Sequence, residues 1–477
     1  MDELSGRTSD GAEAPRQGVL IRAENGDVIG FDETGLVLRL SDRVVDELRG
    51  RLGLDGADPA LLGDIEAWDL RRDGDWLRFT ARLEEGGPRG YRRRVAGGDI
   101  IADAPGPLLA ILSLGGARRA GFNPGPVRFP YHVAAPGDHV HSVGLEGTES
   151  AALTDALQRL PHASRDALIG DALVAMRAAG RRALPLYFVR AETDGSARVG
   201  DLGQGVAYRN FLTALDNLVS AAASLGRRAQ VLAVSLDYGP EDGGTPADEM
   251  AQGLRRLMAQ IEADMAARGL CRPVFLMTAE AGTRRLAAHP SLQAHAELSW
   301  LPGPHRLMIP APGYMFAQTE FGRPTEDARL RMAEMDAYAL RAAEARRPWF
   351  CPTFLLAEHQ GTALRVTARA MGPLVLDDAL GAGAAAGFSV VARRKVRVMS
   401  VSVAKDDPQA LILRLSQKID GPARLLYAMG GEGVSPDALP VNRGGVRDEW
   451  QAVPPGGGAM LHRWALPCDL QIQPGGL

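Results

Sequence analysis

Between Val19 and about Leu114 the apolar positions of this chain come in short runs or alternate with polar ones. Val19-Leu-Ile-Arg-Ala leads to Asn25-Gly26, a hairpin-turn pair, and then to Val28-Ile-Gly-Phe31. Gly35-Leu-Val-Leu-Arg-Leu40 and Trp76-Leu-Arg-Phe-Thr-Ala-Arg-Leu83 alternate with a period of two, which turns one face of a strand to a core and the other to solvent. Residues 1–16 are polar and are expected to be disordered. Residues 17–125 read as a β-rich N-terminal attachment domain, and the Gly/Pro-rich stretch from Gly115 to Gly137 reads as a linker out of it.

The period then changes. Over 126–347, short apolar runs at 184–189, 231–236, 274–277 and 306–309 predict strands. Between them lie stretches with helical spacing. Residues 206–223 place Phe211, Leu215 and Leu218 on one face, and 250–267 place Leu254, Leu257, Met258, Ile261 and Met265 on one face. A third helix is expected over 326–346, with Thr325 as its N-cap and Glu326 and Asp327 at its positive end. Strands alternating with helices predict an α/β fold, a parallel sheet flanked by helices on both faces. Ligands of such sheets bind beyond the C-terminal strand ends. From 348 to 477 the period returns to two, with strands near 364, 387, 396 and 410 and no helix between them, which predicts a C-terminal β-sandwich.

Composition narrows the function. The 477 residues carry 54 basic and 58 acidic side chains and a formal net charge of −4, so no global charge favours nucleic acid or an anionic membrane. Arg92-Arg93-Arg94 and Arg393-Arg394-Lys395 read as solvated faces. Cys271, Cys351 and Cys468 share no metal-ligand spacing and predict neither a zinc site nor a disulfide framework. No apolar run of about 18 residues predicts a membrane span, and no signal peptide is expected at Met1. Synthesis is therefore expected in the cytoplasm. No cofactor and no metal are expected; His132, His139 and His141 read as a loop cluster.

The candidate chemistry lies in an ordered set of segments. These are Gly137-Asp-His-Val-His-Ser-Val-Gly144, then Gly195-Ser196 with Tyr208-Arg-Asn210, then Tyr238-Gly-Pro-Glu-Asp242, then Pro310-Ala-Pro-Gly-Tyr314 with Glu320-Phe-Gly-Arg323. Gly372-Pro-Leu-Val-Leu-Asp377, Gly387-Phe388 and Asn442-Arg-Gly-Gly-Val-Arg-Asp448 follow. In this order the stretch from about Gly137 to Trp450 resembles the SGNH-hydrolase (sialate O-acetylesterase-like) proteins carried by tailed bacteriophages and gene transfer agents. The resemblance implies an SGNH/flavodoxin-like fold. It implies a Ser nucleophile near His139, an oxyanion turn at Gly195, a His-Gly-Glu segment at Tyr238, an Asp at Glu320 and a catalytic His at Arg323.

Each of those positions departs from the chemistry. Ester cleavage of this kind needs a Ser, a His that takes its proton and an Asp that orients the His. Arg323 stays protonated and cannot be a base. Glu320 has no imidazole to orient, although the two could form an ion pair. His139 stands where the Ser is expected, with Ser142 as the fallback nucleophile. Pro240 removes a backbone N–H from the third segment. The catalytic set therefore reads as degenerate. Tyr238, Tyr314, Arg323 and Asp242 are the glycan-binding candidates. A charged loop that caps a helix is the competing reading of Asp237, Glu241 and Asp242, and core filling that of Met308, Met315 and Met332.

The resemblance and these losses together imply a non-catalytic structural component of a phage-like particle. It would be an exterior spike, fibre or tail-associated subunit released by lysis. Its partners would be other particle proteins and host surface polysaccharide, with no nucleic acid; homo-oligomerisation is compatible with such a role, although no coiled coil supports it. The alternative is an active carbohydrate O-acetylesterase with Ser142 as nucleophile and His139, His141 or His305 as base. An architectural subunit without a ligand is the third reading.

Overall fold

The computed structural model describes residues 18–475, leaving aside 23, 25–27, 33–34, 52–61, 85–86, 240, 280–289, 320–322 and 430–442. The expectations for residues 1–16, Pro240 and Glu320 lie outside the described residues. The chain divides into two compact units, Met1–Gly97 and Gly98–Leu477. Among the described residues no helix is long and apolar enough to cross a membrane.

The first unit holds two antiparallel meanders. Strands β1 (Gly18–Arg22), β2 (Val28–Asp32) and β3 (Gly35–Arg39) form one, with helix α1 (Asp42–Arg51) after it. Strands β4 (Ala67–Asp73), β5 (Trp76–Ala81) and β6 (Arg89–Arg94) form the other. In β5, Trp76, Leu77, Phe79 and Ala81 are buried. Arg92 and Arg94 lie over the Trp76 ring at 5.4 and 5.1 Å, so two arginines of this basic run stack on an aromatic face.

The second unit is mixed α/β and rich in strands. It begins with β7 (Ile101–Ala102) and β8 (Leu108–Gly115). Next come β9 (Phe122–Pro124), β10 (Val133–Pro136), β11 (Leu157–Arg159), β12 (His162–Ser164) and α2 (Arg165–Ala179). Then follow β13 (Leu186–Thr193), α3 (Val206–Ser224), β14 (Ala229–Ser235), α4 (Ala247–Ala267) and β15 (Val274–Leu276). The set closes with α5 (Pro290–Trp300), β16 (Leu307–Met308) and α6 (Glu326–Glu344). Seven strands form a sheet in the order β11-β10-β13-β8-β14-β15-β16, parallel except for the edge strand β11. Leu109 and Ile111 of β8 and Tyr187 and Val189 of β13 pack with α2 and α6 on one face; α3 lies against the same strands on the other.

The sheet corrects the expected boundary at 125. All eight residues of β8 are buried, as suits the centre of a parallel sheet covered on both sides. The strand assigned to the attachment domain is thus the middle of the α/β sheet, and the stretch beginning at Gly115 is a sheet-end loop.

Ten strands follow. They are β17 (Thr353–Gln360), β18 (Ala363–Arg369), β19 (Leu374–Leu376), β20 (Phe388–Ala392) and β21 (Val398–Val403), then β22 (Ala410–Leu415), β23 (Ala423–Tyr427), β24 (Val446–Ala452), β25 (Leu461–Trp464) and β26 (Cys468–Pro474). A seven-stranded sheet, β20-β23-β26-β17-β18-β22-β21, and a three-stranded sheet, β19-β24-β25, share one apolar core. That core also takes Leu292 of α5 and Tyr314, so 347/348 is not a division between compact units. The Tyr314 hydroxyl bonds to the Ala465 carbonyl at 2.5 Å and lies 3.2 Å from the Tyr427 hydroxyl. A Cβ at Gly444 would come within 2.2 and 2.6 Å of these two hydroxyls, so only glycine admits them. Asp377 pairs with Arg447, and Asp448 with Arg463. The late segments that carried the resemblance therefore do structural work inside these sheets.

Candidate functional site at the sheet ends

In an open parallel sheet, ligands bind outside the C-terminal strand ends where the strand order reverses. Here the chain lays β10 and β13 on one side of β8 and then crosses to β14 on the other. The reversal lies at the end of β8, in Gly115-Gly116-Ala117. Gly137–Gly144 leaves β10, two strands away. The expected nucleophile turn is thus displaced: the residue at the reversal point is Ala117, which has no nucleophilic atom.

Two amides beside Ala117 are already engaged. Gly116 donates its N–H to the Asp237 carbonyl at 3.1 Å. Gly195 donates to Glu146 Oε1 at 2.6 Å. A Cβ on Gly195 would stand 3.1 Å from the Ala117 Cβ, so the two residues are neighbours. The Gly195 donor, however, is capped by a carboxylate. Glu241 leans over Gly116 so closely that a Cβ there would meet its carboxyl carbon at 2.0 Å. Burial pushes the Glu241 carboxyl up, and Arg118 opposes the shift.

Beneath this loop is a closed charge network. Arg119 bonds to Asp237 at 2.8 Å, to Ser235 at 3.0 Å and, at very short range, to Asp166. Arg165 reaches Asp336 and Asp237, each at 2.9 Å, and Thr278 at 2.9 Å. Thr278 N–H and Ser113 Oγ complete it on Asp237 and Asp166. Ser113, Ser235 and Thr278 sit at or just past the ends of β8, β14 and β15, while Arg165, Asp166 and Asp336 come from α2 and α6. Burial alone would raise the Asp237 carboxyl, but Arg165 and Arg119 outweigh it and hold it below the usual carboxylate range. Asp336 goes the other way: burial raises it, against the same two guanidiniums. Burial also disfavours the charge on Arg119, yet three aspartates hold its guanidinium more firmly protonated than usual. A cavity of about 10 Å³ lies against Arg119, Arg165 and Asp237, about the room of one water.

Outside this floor lies a shallow groove of about 550 Å³ between Ala117, Phe122, Thr319, Arg323 and Arg329. Phe122 is 49% exposed and its ring stacks on His162 at 4.9 Å. Arg329 is a fixed wall, donating to Asn123 Oδ1 and to the Phe122 and Pro324 carbonyls at 2.7–2.9 Å. Arg323 is exposed at the rim, where the Thr319 N–H donates to its carbonyl at 2.8 Å.

The remaining expected residues do not gather here. Tyr238 is fully buried with its hydroxyl on the Ala197 carbonyl, and Tyr314 is 1% exposed, so neither offers a face to a sugar. Both are buried rings whose hydroxyls bond to backbone carbonyls, Ala197 for Tyr238 and the buried Ala465 for Tyr314. Asp242 is a buried loop pin, accepting from Val199 N–H at 2.9 Å and Thr245 N–H at 3.1 Å; these bonds overcome burial and lower its pKa. His139 and His141 are exposed on the 137–142 loop. Ser142 is buried beside β13, its carbonyl accepting from Ala191 N–H at 2.8 Å; among the described residues it bonds to none of His139, His141 and His305. His305 instead faces Glu262 at 3.3 Å. Among the described residues no group of three or more metal-ligating side chains comes together. Met332 lies in a core cluster with Met308 and Met315 against it. Sequence reasoning missed Phe122, Arg119 and Ala117; the largely apolar run of β8, broken only by Ser113 and followed by Gly115-Gly116, was the available signal.

No family model and no curated protein matches the chain. Among solved structures it is similar to a carbohydrate acetylesterase from Xanthomonas citri at 15% identity, over 82% of this chain and 86% of that one, with a TM-score of 0.49. It is also similar to the N-terminal part of the bacterial S-layer protein SbsC at 12% identity, over 47% of this chain and 38% of that one, with a TM-score of 0.18.

Proposed function

We propose that this chain is a non-catalytic, carbohydrate-contacting protein whose hydrolase-shaped sheet grips a polysaccharide without cleaving it. The observation that carries the reading is Ala117 at the strand-order reversal, flanked by two amides that are already hydrogen-bonded. A serine hydrolase needs a hydroxyl there and donors aimed at the oxyanion. The groove supports binding instead. Phe122 offers an exposed ring, and Arg323 a cation at the rim that favours an acidic sugar such as a uronate. The sequence resemblance to particle-borne SGNH proteins supports a place on the exterior of a gene transfer agent or tailed phage. Other particle proteins and host surface polysaccharide would be its partners there.

The test uses purified protein in two assays. With p-nitrophenyl acetate and acetylated polysaccharide, turnover is expected to equal the buffer rate. On an array of bacterial capsular polysaccharides, acidic polymers are expected to bind, and Arg323→Ala to weaken them. Turnover that disappears in Ser142→Ala overturns the reading in favour of an esterase. Particles lacking the protein are expected to assemble and adsorb poorly; misassembled particles with normal adsorption overturn it in favour of an architectural subunit.

A further inference from the structure

A second groove lies elsewhere in this unit. It is an open groove of about 750 Å³ between α5 and the outer side of β17, β20, β23 and β26. Its volume lies within the range of about 300–1,000 Å³ that small-ligand sites occupy. Trp300 closes α5 on one wall and is 51% exposed; Leu355, 43% exposed, stands on the other.

The polar groups of the groove are held in place and neutralised. Asp469 is paired with Arg424 and accepts from Gln293 Nε2 at 2.9 Å. Arg255 holds Glu297 through Oε1 at 2.7 Å and also donates to the Leu301 carbonyl. Glu297 and Gln471 both line the groove, and Arg255 engages Glu297 through Oε1. The wall thus offers an aromatic face, a carboxylate acceptor and an amide, with each charge matched by a neighbour of opposite sign.

We infer that this groove is a second carbohydrate site, which takes a neutral pyranose oligosaccharide. The electron-rich face of an indole attracts the C–H edge of a sugar ring, and fixed acceptors and amides bond its hydroxyls. With Glu297 and Asp469 each paired to an arginine, the groove has no unpaired cation to draw an acidic sugar, in contrast to the arginine-rimmed groove at the sheet ends. A polysaccharide with neutral and acidic residues could engage both, and two tethered contacts hold a polymer far longer than one. The site goes beyond the sheet-end reading and does not depend on it.

The test titrates the whole chain with maltotriose, cellotriose, mannotriose and chitotriose, with trigalacturonate as the acidic comparator, and reads the heat of binding by calorimetry, which does not need Trp300 as a reporter. At least one neutral trisaccharide is expected to give a saturable change. Trp300→Ala is expected to weaken it about tenfold, Glu297→Gln to weaken it less, and Arg323→Ala to leave it unchanged. Thermal melting reports whether each variant folds; Trp300→Phe, which keeps a ring, is expected to retain most of the affinity. No saturable response to any neutral trisaccharide overturns the site, as does equal binding by Trp300→Ala. Trigalacturonate binding lost in Arg323→Ala with no neutral binding removes this site and leaves the sheet-end reading standing.

Discussion

Replacing Asp237 by Asn tests the buried network under the sheet ends. Asp237 receives Arg119 at 2.8 Å, Arg165 at 2.9 Å and the Thr278 N–H at 2.7 Å. Asn keeps a carbonyl for Thr278 but turns an N–H₂ toward two guanidiniums, so both charge-assisted bonds are lost. Bonds to charged groups contribute about 1.5–3 kcal/mol each, and breaking one partner out of a buried ion cluster costs about 3–5 kcal/mol. Unfolding entropy near 2.1 cal/mol/K per residue over Gly98–Leu477 gives about 0.8 kcal/mol/K, so Asp237→Asn should melt roughly 4–6 °C lower. Calorimetry and urea unfolding at pH 7 measure this. The difference should also depend on pH. Folding holds Asp237 below its unfolded value, so its contribution is complete above about pH 4 and is lost as pH falls through the folded pKa. Wild type and variant should converge in acid. A loss under about 1 kcal/mol at pH 7, or a gap that stays constant down to pH 3, refutes the reasoning.

Ala117→Ser, alone or with Arg323→His, should give no p-nitrophenyl acetate turnover above buffer, because the Gly116 and Gly195 amides remain engaged; measurable turnover would show that they can be released. Thr325→Ala removes the hydroxyl that accepts from Ala328 N–H at the start of α6 and should cost about 1 kcal/mol, near 1 °C in melting temperature. In thiol titration of native protein at pH 8, exposed Cys271 should react promptly. Buried Cys351 and Cys468, whose thiols burial pushes far up, should react only after denaturation.

Elements with a one-sided pattern were legible in the sequence. The buried stripe of α4, the N-cap of α6 and the strands at 364, 387, 396 and 410 appear where periodicity places them. Helix α2 was not legible, because 11 of its 15 residues are buried and no polar stripe marks it. Strand β8 was hidden for a related reason: a segment covered on both faces shows no alternation, and Leu108 to Leu114 is apolar except for Ser113. Missing β8 moved the expected nucleophile to the 137–142 loop. The Tyr238 and Tyr314 expectations failed because position near a strand end does not say which way a ring turns; each ring is buried with its hydroxyl on a backbone carbonyl. The charge of Arg323 could be read from the residue type; its place at the rim of the sheet-end groove could not.

Tyr314 belongs by sequence to the helical half of the second unit, yet its ring fills a place among the β-strands that follow. A truncated gene encoding only 348–477 would make strands with a ring-sized hole and a Tyr427 hydroxyl deprived of its neighbour. The two halves should therefore be lost together on heating, and an isolated C-terminal fragment should precipitate rather than fold.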